Sequence, residues 1–292
     1  MNILLALQDI RNPVFDIIFK IFTTLAEQNV IIIVYCIIAW CVDKRFAYRT
    51  GFAFCIGMGI NQIVKLIFCI QRPWVLDNRI KPSEYALDGA TGYSFPSGHT
   101  QSGVTFMGCL FQNYKNTAFR FFCIVSMSMI PLSRMYFGVH TFWDVMISFL
   151  IGIAVLLVSQ RAYAFFDKHE ATAAVLGILF SFGMVAFALL KSYPEYHIAE
   201  YAYDCIKIAG AFGGFFAGWY IDKKFIDYKT DGKLAFQIIK TVLGILLLFI
   251  IKIAFKKLFE QNYFIMYLQN FVLMLWCTAI YPFVFNKKSH GN

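Results

Sequence analysis

A chain of 292 residues with 59% hydrophobic, 18% aromatic and only 15% charged side chains lies outside the range of water-soluble domains, where about a quarter of residues are charged. Its net charge of +9 is spread between apolar runs and not gathered in one patch, which argues against a nucleic-acid partner and for basic loops that orient membrane spans. The expected fold class is all-α, a polytopic transmembrane helix bundle: backbone amides in hydrocarbon must pair within each span, and the runs are too long and unalternating for barrel strands.

Residues 3–26 set Ile3, Leu4, Leu7, Ile10, Val14, Ile17, Ile18, Ile21 and Phe22 at helical spacing but interrupt them with Asp9, Arg11, Pro13, Asp16 and Lys20, the pattern of helices lying in the interface. The start lacks a basic leader and a small-residue cleavage pattern, so no removable signal peptide is expected. Apolar segments follow at 30–42, 51–71, 100–112, 118–132, 142–165, 171–190, 203–221, 234–255 and 264–285, broken by a basic turn at 43–49 and a long polar stretch at 72–99. The expectation is N-terminal interfacial helices plus about eight spans. One set of alternate loops carries thirteen Lys and Arg and the other nine, so the richer side is expected to be cytoplasmic, with 72–99 and 133–139 on the extracytoplasmic side.

The eight cysteines, at 36, 41, 55, 69, 109, 123, 205 and 277, lie in apolar runs without CxxC or Cys/His grouping and are expected as free, buried thiols. Gly210, Gly213, Gly214 and Gly218 form a small-residue stripe that reads as a close helix-packing face, within one chain or in a homo-oligomer, and not as a phosphate loop.

Charged residues at one membrane depth carry the chemistry. Lys65 and Arg72, seven residues apart, emerge from one face if the helix runs through both. Pro73 marks its end. In Tyr93-Ser94-Phe95-Pro96-Ser97-Gly98-His99-Thr100, Ser97 is a candidate N-cap, Gly98 lets backbone approach a ligand, the helix N-terminus favours an anion, and His99 can deliver a proton. In Ser133–Asp144, His140 and Asp144 are spaced i, i+4, so a carboxylate can hold one imidazole nitrogen and leave the other as base or nucleophile. Each feature has a plain alternative: snorkelling cations, a turn, a helix-capping pair. Their convergence on one side decides, since three cations (Lys65, Arg72, Arg134) plus amide donors suit a phosphoryl group and two histidines suit nucleophile and acid.

Lys65-x6-Arg72-Pro73, Pro96-Ser97-Gly98-His99 and Ser133-Arg134-x5-His140-x3-Asp144 resemble the three signature motifs of the type 2 phosphatidic acid phosphatase superfamily, in order and at all eleven motif positions. The resemblance covers residues 1–166, expected as the catalytic membrane core, with 167–292 as additional C-terminal helices for scaffold, oligomerisation or a substrate groove. It implies that His140 attacks phosphorus to form a phosphohistidine, that Asp144 orients it, and that His99 protonates the leaving group and then activates water. It further implies that Lys65, Arg72, Arg134, Ser97 and Gly98 hold the phosphate, with no metal and no cofactor.

The expected activity is hydrolysis of a lipid-linked phosphate or diphosphate in the cell membrane. The layout is similar to undecaprenyl diphosphate phosphatases of cell wall synthesis; phosphatidic acid, phosphatidylglycerophosphate and sphingoid phosphates compete as substrates. Alternatives are a phosphotransferase, a glucose-6-phosphatase-like enzyme, or a non-enzymatic anion-binding transporter or scaffold. Lys191, Glu195, His197, Glu200 and Tyr201 flank the outer face and read as a solvated loop before a substrate contact. Snorkelling accounts for Lys252 more readily than for Lys207 or Lys240.

Overall fold

The computed structural model describes residues 1–87, 89–193, 198–260 and 262–286, with 198–200 as backbone only. Among the described residues every regular element is helical: α1 (Asn2–Asp9), α2 (Pro13–Thr24), α3 (Gln28–Ile37), α4 (Lys44–Phe68), α5 (Pro73–Leu76), α6 (Glu84–Leu87), α7 (Gly98–Asn113), α8 (Thr117–Tyr136), α9 (Phe142–Phe166), α10 (Glu170–Leu190), α11 (Ile198–Ile221), α12 (Leu234–Leu258), α13 (Tyr263–Leu275) and α14 (Tyr281–Asn286). Short π-helical segments continue α3, α11 and α13. Local chemistry sets the starts. Asn12 caps α2 by accepting from the N–H groups of Val14 and Phe15, with Pro13 in the first turn where its missing N–H costs nothing. Asn116 and Asn262 cap α8 and α13 in the same way.

Among the described residues six helices are long and apolar enough to cross a membrane, at 44–76, 117–136, 142–166, 170–190, 234–258 and 263–286, or seven if the pair Pro13–Thr24 and Gln28–Val42, bent by 51°, is one broken span. Three of the nine apolar segments fall short by this test. The segment 30–42 belongs to that bent pair; α7 has only 16 residues and carries Thr, Gln, Ser and Asn; α11 is diluted by Gly, Tyr, Asp204 and Lys207. The basic turn expected at 43–49 is instead the opening of α4, whose first residue is Lys44.

Two compact units divide the chain. The first comprises 1–31, 56–158 and 192–204, the second 32–55, 159–191 and 205–292. In the first, α7 packs on α8 and the α1–α2 pair lies along α8. The side chains of Phe19, Ala86, Tyr136, Phe137 and Val139 form a buried cluster in which the Phe19 and Tyr136 rings stand 4.3 Å apart. Tyr136 ties α2 to this cluster by donating to Asp16 at 2.7 Å. Apolar burial of this kind, at roughly 1.5–3 kcal/mol per large side chain, fixes the α8 end that leads into residues 137–141.

In the second unit the glycine stripe is used within the chain. A Cβ on Gly210 or Gly214 would collide with the backbone carbonyls of Tyr267 and Phe271, and one on Gly218 with the Thr278 side chain. This corrects the expectation of a homo-oligomer face: α13 and the π-helical turn after it already fill the groove, because only glycine permits so close a backbone approach. Lys240 is buried because its amine donates to the Trp40 carbonyl at 2.6 Å and lies 4.5 Å from the Phe285 ring centre. All eight cysteines are free thiols. Glu195 and His197 lie outside the described residues, as does the side chain of Glu200.

Candidate active site

The first unit alone contains every residue singled out for chemistry. Helix α9 opens with a reciprocal cap: the Thr141 hydroxyl accepts from the Asp144 N–H at 3.3 Å and the Asp144 carboxylate accepts from the Thr141 N–H at 2.7 Å. That box locks Asp144 beside His140. The carboxylate Oδ2 stands 3.6 Å from His140 Nδ1, an electrostatic contact longer than a hydrogen bond. Ser94 supplies the shorter link, donating its hydroxyl to the same Oδ2 at 2.5 Å while its Oγ lies 3.5 Å from Nδ1.

On the other side of the ring, Arg72 Nη1 lies 3.1 Å from His140 Nε2. A guanidinium only donates, so Nε2 is the acceptor and Nδ1 carries the proton, facing Ser94 and Asp144. Arg72 is otherwise held by carbonyls, donating to Gly92 through Nε at 3.0 Å, to Val139 through Nη1 at 3.0 Å and to Thr91 through Nη2 at 2.6 Å. Burial first, and the Arg72 charge second, hold His140 well below the ordinary imidazole pKa, against the pull of Asp144 and with a further contribution from Arg134. At neutral pH its Nε2 is therefore unprotonated, its lone pair accepting from Arg72.

Lys65, buried on α4, donates to the carbonyls of Tyr93 at 2.6 Å and Pro96 at 3.1 Å. No single helix runs through Lys65 and Arg72, contrary to their seven-residue spacing. Helix α4 stops at Phe68, Cys69 takes a φ of +50°, and Arg72 is extended at the head of α5. The two cations meet because the chain turns, bringing both against the 91–96 segment. Arg134, 1% exposed, donates to the Thr23 hydroxyl at 2.9 Å, and its Nε and Nη2 are buried without a partner. A buried guanidinium with two unspent donors is costly by itself and suits a bidentate anion.

Ser97 caps α7 as expected, its hydroxyl accepting from Thr100 N–H at 3.3 Å, and its own N–H donates to the Asp144 carbonyl at 3.1 Å. A Cβ on Gly98 would meet nothing nearer than Asn61 at 3.9 Å, so protein packing does not demand glycine there. His99 stands half-buried in the first turn of α7, its ring edge towards Gly89, within the field of Arg134, His140, Arg72 and Lys65. Residues that motif reading passed over are Ser94, Thr23, Thr91 and Asn61. The last is fully buried one turn before Lys65 with neither amide atom partnered, and a mid-span asparagine is the signal that points to it.

The arrangement defines a membrane-embedded, all-helical protein with an imidazole between a carboxylate and a cluster of cations. The chain belongs to the PAP2 superfamily: the family model of that description matches residues 46–168, and a second, described as PAP2 superfamily phosphatase, transmembrane extension, matches residues 206–290. Among curated proteins it is 26% identical over 212 residues to a "Probable sphingosine-1-phosphate phosphatase" of Dictyostelium discoideum, a match covering 67% of this chain and 49% of that protein. It is 22% identical over 283 residues to "Sphingosine-1-phosphate phosphatase 2" of Mus musculus, covering 87% of this chain and 77% of that one. The chain thus spans about half the length of the first relative. No solved structure matches it at a significant level.

Proposed function

We propose that this protein is an integral membrane phosphatase that hydrolyses a lipid phosphate through a phosphohistidine on His140. The observation that carries the reading is the 3.1 Å approach of Arg72 Nη1 to His140 Nε2, which puts a cation at the atom that would attack. An arriving phosphoryl group takes over that guanidinium, and Arg134 offers the free Nε and Nη2 donors, so its equatorial oxygens gain partners as their charge grows. Lys65, Ser97 and the Gly98 amide complete the phosphate cradle.

His140 Nε2 forms a bond to phosphorus while the ester P–O bond breaks, and His99 gives its proton to the departing oxygen. His99 then takes a proton from water, whose oxygen attacks phosphorus and expels Nε2. Asp144 and Ser94 hold the ring and balance the charge it acquires. The chain's own cations supply the neutralisation, and no metal is invoked. The motifs all fall within 1–166, which we assign as the catalytic part, and we expect its site on the extracytoplasmic face.

The sphingosine-1-phosphate phosphatases among its relatives favour a sphingoid phosphate as substrate over undecaprenyl diphosphate or phosphatidic acid. The test is phosphate release by the purified protein from sphingosine phosphate, phosphatidic acid, undecaprenyl diphosphate and glucose 6-phosphate, beside His140→Ala. Release that is fastest from sphingosine phosphate and absent in the variant is expected; release that survives in the variant removes the mechanism, and a preference for another substrate removes the assignment.

A further inference from the structure

Asp204 lies in the first turns of α11, at the end of a segment, 192–204, that belongs to the first unit. Neither family model reaches that segment, since one ends at 168 and the other begins at 206. Yet two side chains from it grip the turn that holds the site's cations. The Thr91 hydroxyl donates to Asp204 Oδ2 at 2.5 Å, and the Thr91 carbonyl accepts from Arg72 Nη2 at 2.6 Å. One residue on, Gly92 takes a φ of +62° and offers its carbonyl to Arg72 Nε at 3.0 Å. Next, Tyr93 stacks on Tyr201 with ring centres 4.1 Å apart and planes 11° from parallel, and its carbonyl accepts from Lys65 at 2.6 Å.

Thus three consecutive carbonyls hold the two cations, and α11 fastens that turn at both ends. A turn anchored only by its own backbone would let Arg72 drift by the ångström or so that costs an enzyme about a hundredfold. Asp204 also acts by charge: with Asp144 it is the negative group that faces both Lys65 and Arg72.

We propose that Asp204 is a positioning residue for anion binding at this site, setting Arg72 against His140 through Thr91, with Tyr201 doing the same for Lys65 through Tyr93. The inference rests on the phosphatase reading for its meaning but not for its test. Equilibrium binding of orthovanadate, a mimic of phosphate, requires no turnover.

The signs of the two effects of Asp204 oppose each other. Losing its charge near two cations should tighten anion binding, whereas losing its grip on Thr91 should weaken it. Thr91→Val leaves the charge and removes the grip, and Thr91 is exposed, so folding should survive. The expected result is orthovanadate affinity about tenfold weaker in Thr91→Val, restored in Thr91→Ser, and no further loss when Thr91→Val is added to Asp204→Ala. Asp204→Asn, which keeps an acceptor, should bind at least as tightly as wild type. A merely structural link would lower the melting temperature and leave the affinity per folded molecule unchanged.

Wild-type affinity in Thr91→Val, or additive losses in the double variant, would overturn the inference alone. Binding without lipid phosphate hydrolysis would sink only the phosphatase reading, and a wild-type protein that binds no orthovanadate sinks both.

Discussion

Arg72 and His140 share a hydrogen bond of 3.1 Å between Nη1 and Nε2, so the nitrogen proposed as nucleophile faces a permanent cation. The consequence is a pH profile with a displaced acid limb. Burial and the charges of Arg72 and Arg134 depress the His140 pKa, while Asp144 on the Nδ1 side resists. A base with a lowered pKa keeps its lone pair as the pH falls, so the His140 limb of kcat/KM should lie well below the ordinary value of about 6.5. Arg72→Gln removes one of the depressing causes: the limb should move up towards that value and kcat/KM should drop by about a hundredfold. Profiles of the two proteins measured side by side decide it, and a limb unmoved by the substitution would mean that the contact does not govern the imidazole.

The phosphate-binding role proposed for Arg134 predicts a trade of stability for binding. Its guanidinium is almost wholly buried, with Thr23 accepting from one nitrogen and two nitrogens unpartnered. Replacing a buried, incompletely paired charge by an apolar side chain of similar length is commonly neutral or stabilising. Arg134→Met should therefore melt at or above the wild-type temperature in detergent and lose at least about a hundredfold in kcat/KM. A large fall in melting temperature with kinetics preserved would assign the residue to the fold alone.

Ser94 bridges the Asp144–His140 pair that sequence spacing joined directly. With the carboxylate 3.6 Å from Nδ1 and the Ser94 hydroxyl 2.5 Å from the carboxylate, Ser94→Ala leaves Asp144 held only by Thr141 on that oxygen. A loss of about tenfold in kcat with little change in KM is expected, because the ring charge being balanced appears only in the transition state. A change confined to KM would place Ser94 in substrate binding instead.

What the sequence could disclose was local. The Ser97 cap, the His140–Asp144 spacing at the head of α9 and the apolar lengths of the long helices depend on neighbours within a few residues. Lys65 and Arg72 come to the same 91–96 segment through a break in the helix that their spacing does not predict: Phe68-Cys69-Ile70-Gln71 reads as a continuation of the helix, and nothing in those residue types betrays the break at Cys69. Thr23 and Asp204 reach their partners across 111 and 113 residues, a distance no periodicity spans. The glycine stripe announced a close approach but not that α13 makes it.

Gly138 holds the turn between Arg134 and His140. It takes a φ of +72° one residue past the C-cap of α8, with its N–H donated to the Met135 carbonyl at 2.9 Å and the Val139 N–H donated to the Arg134 carbonyl at 3.1 Å. These are the two bonds of a Schellman motif, for which glycine is favoured because other residues pay about 1 kcal/mol or more in the left-handed region. A Cβ there would also sit 2.9 Å from Arg11 Nη2, and Arg11 is fixed by donating to the carbonyls of Tyr136 and Lys81. Gly138→Ala should cost roughly 1–3 kcal/mol, read as a lower melting temperature, and should depress kcat because both ends of the turn lead into the site. Shortening the obstructing side chain separates the two causes: adding Arg11→Ala should relieve the clash and leave the dihedral penalty. Gly138→Ala should therefore cost less stability in the Arg11→Ala background than in wild type, though still something. Equal losses in the two backgrounds would mean that backbone conformation alone makes glycine necessary there.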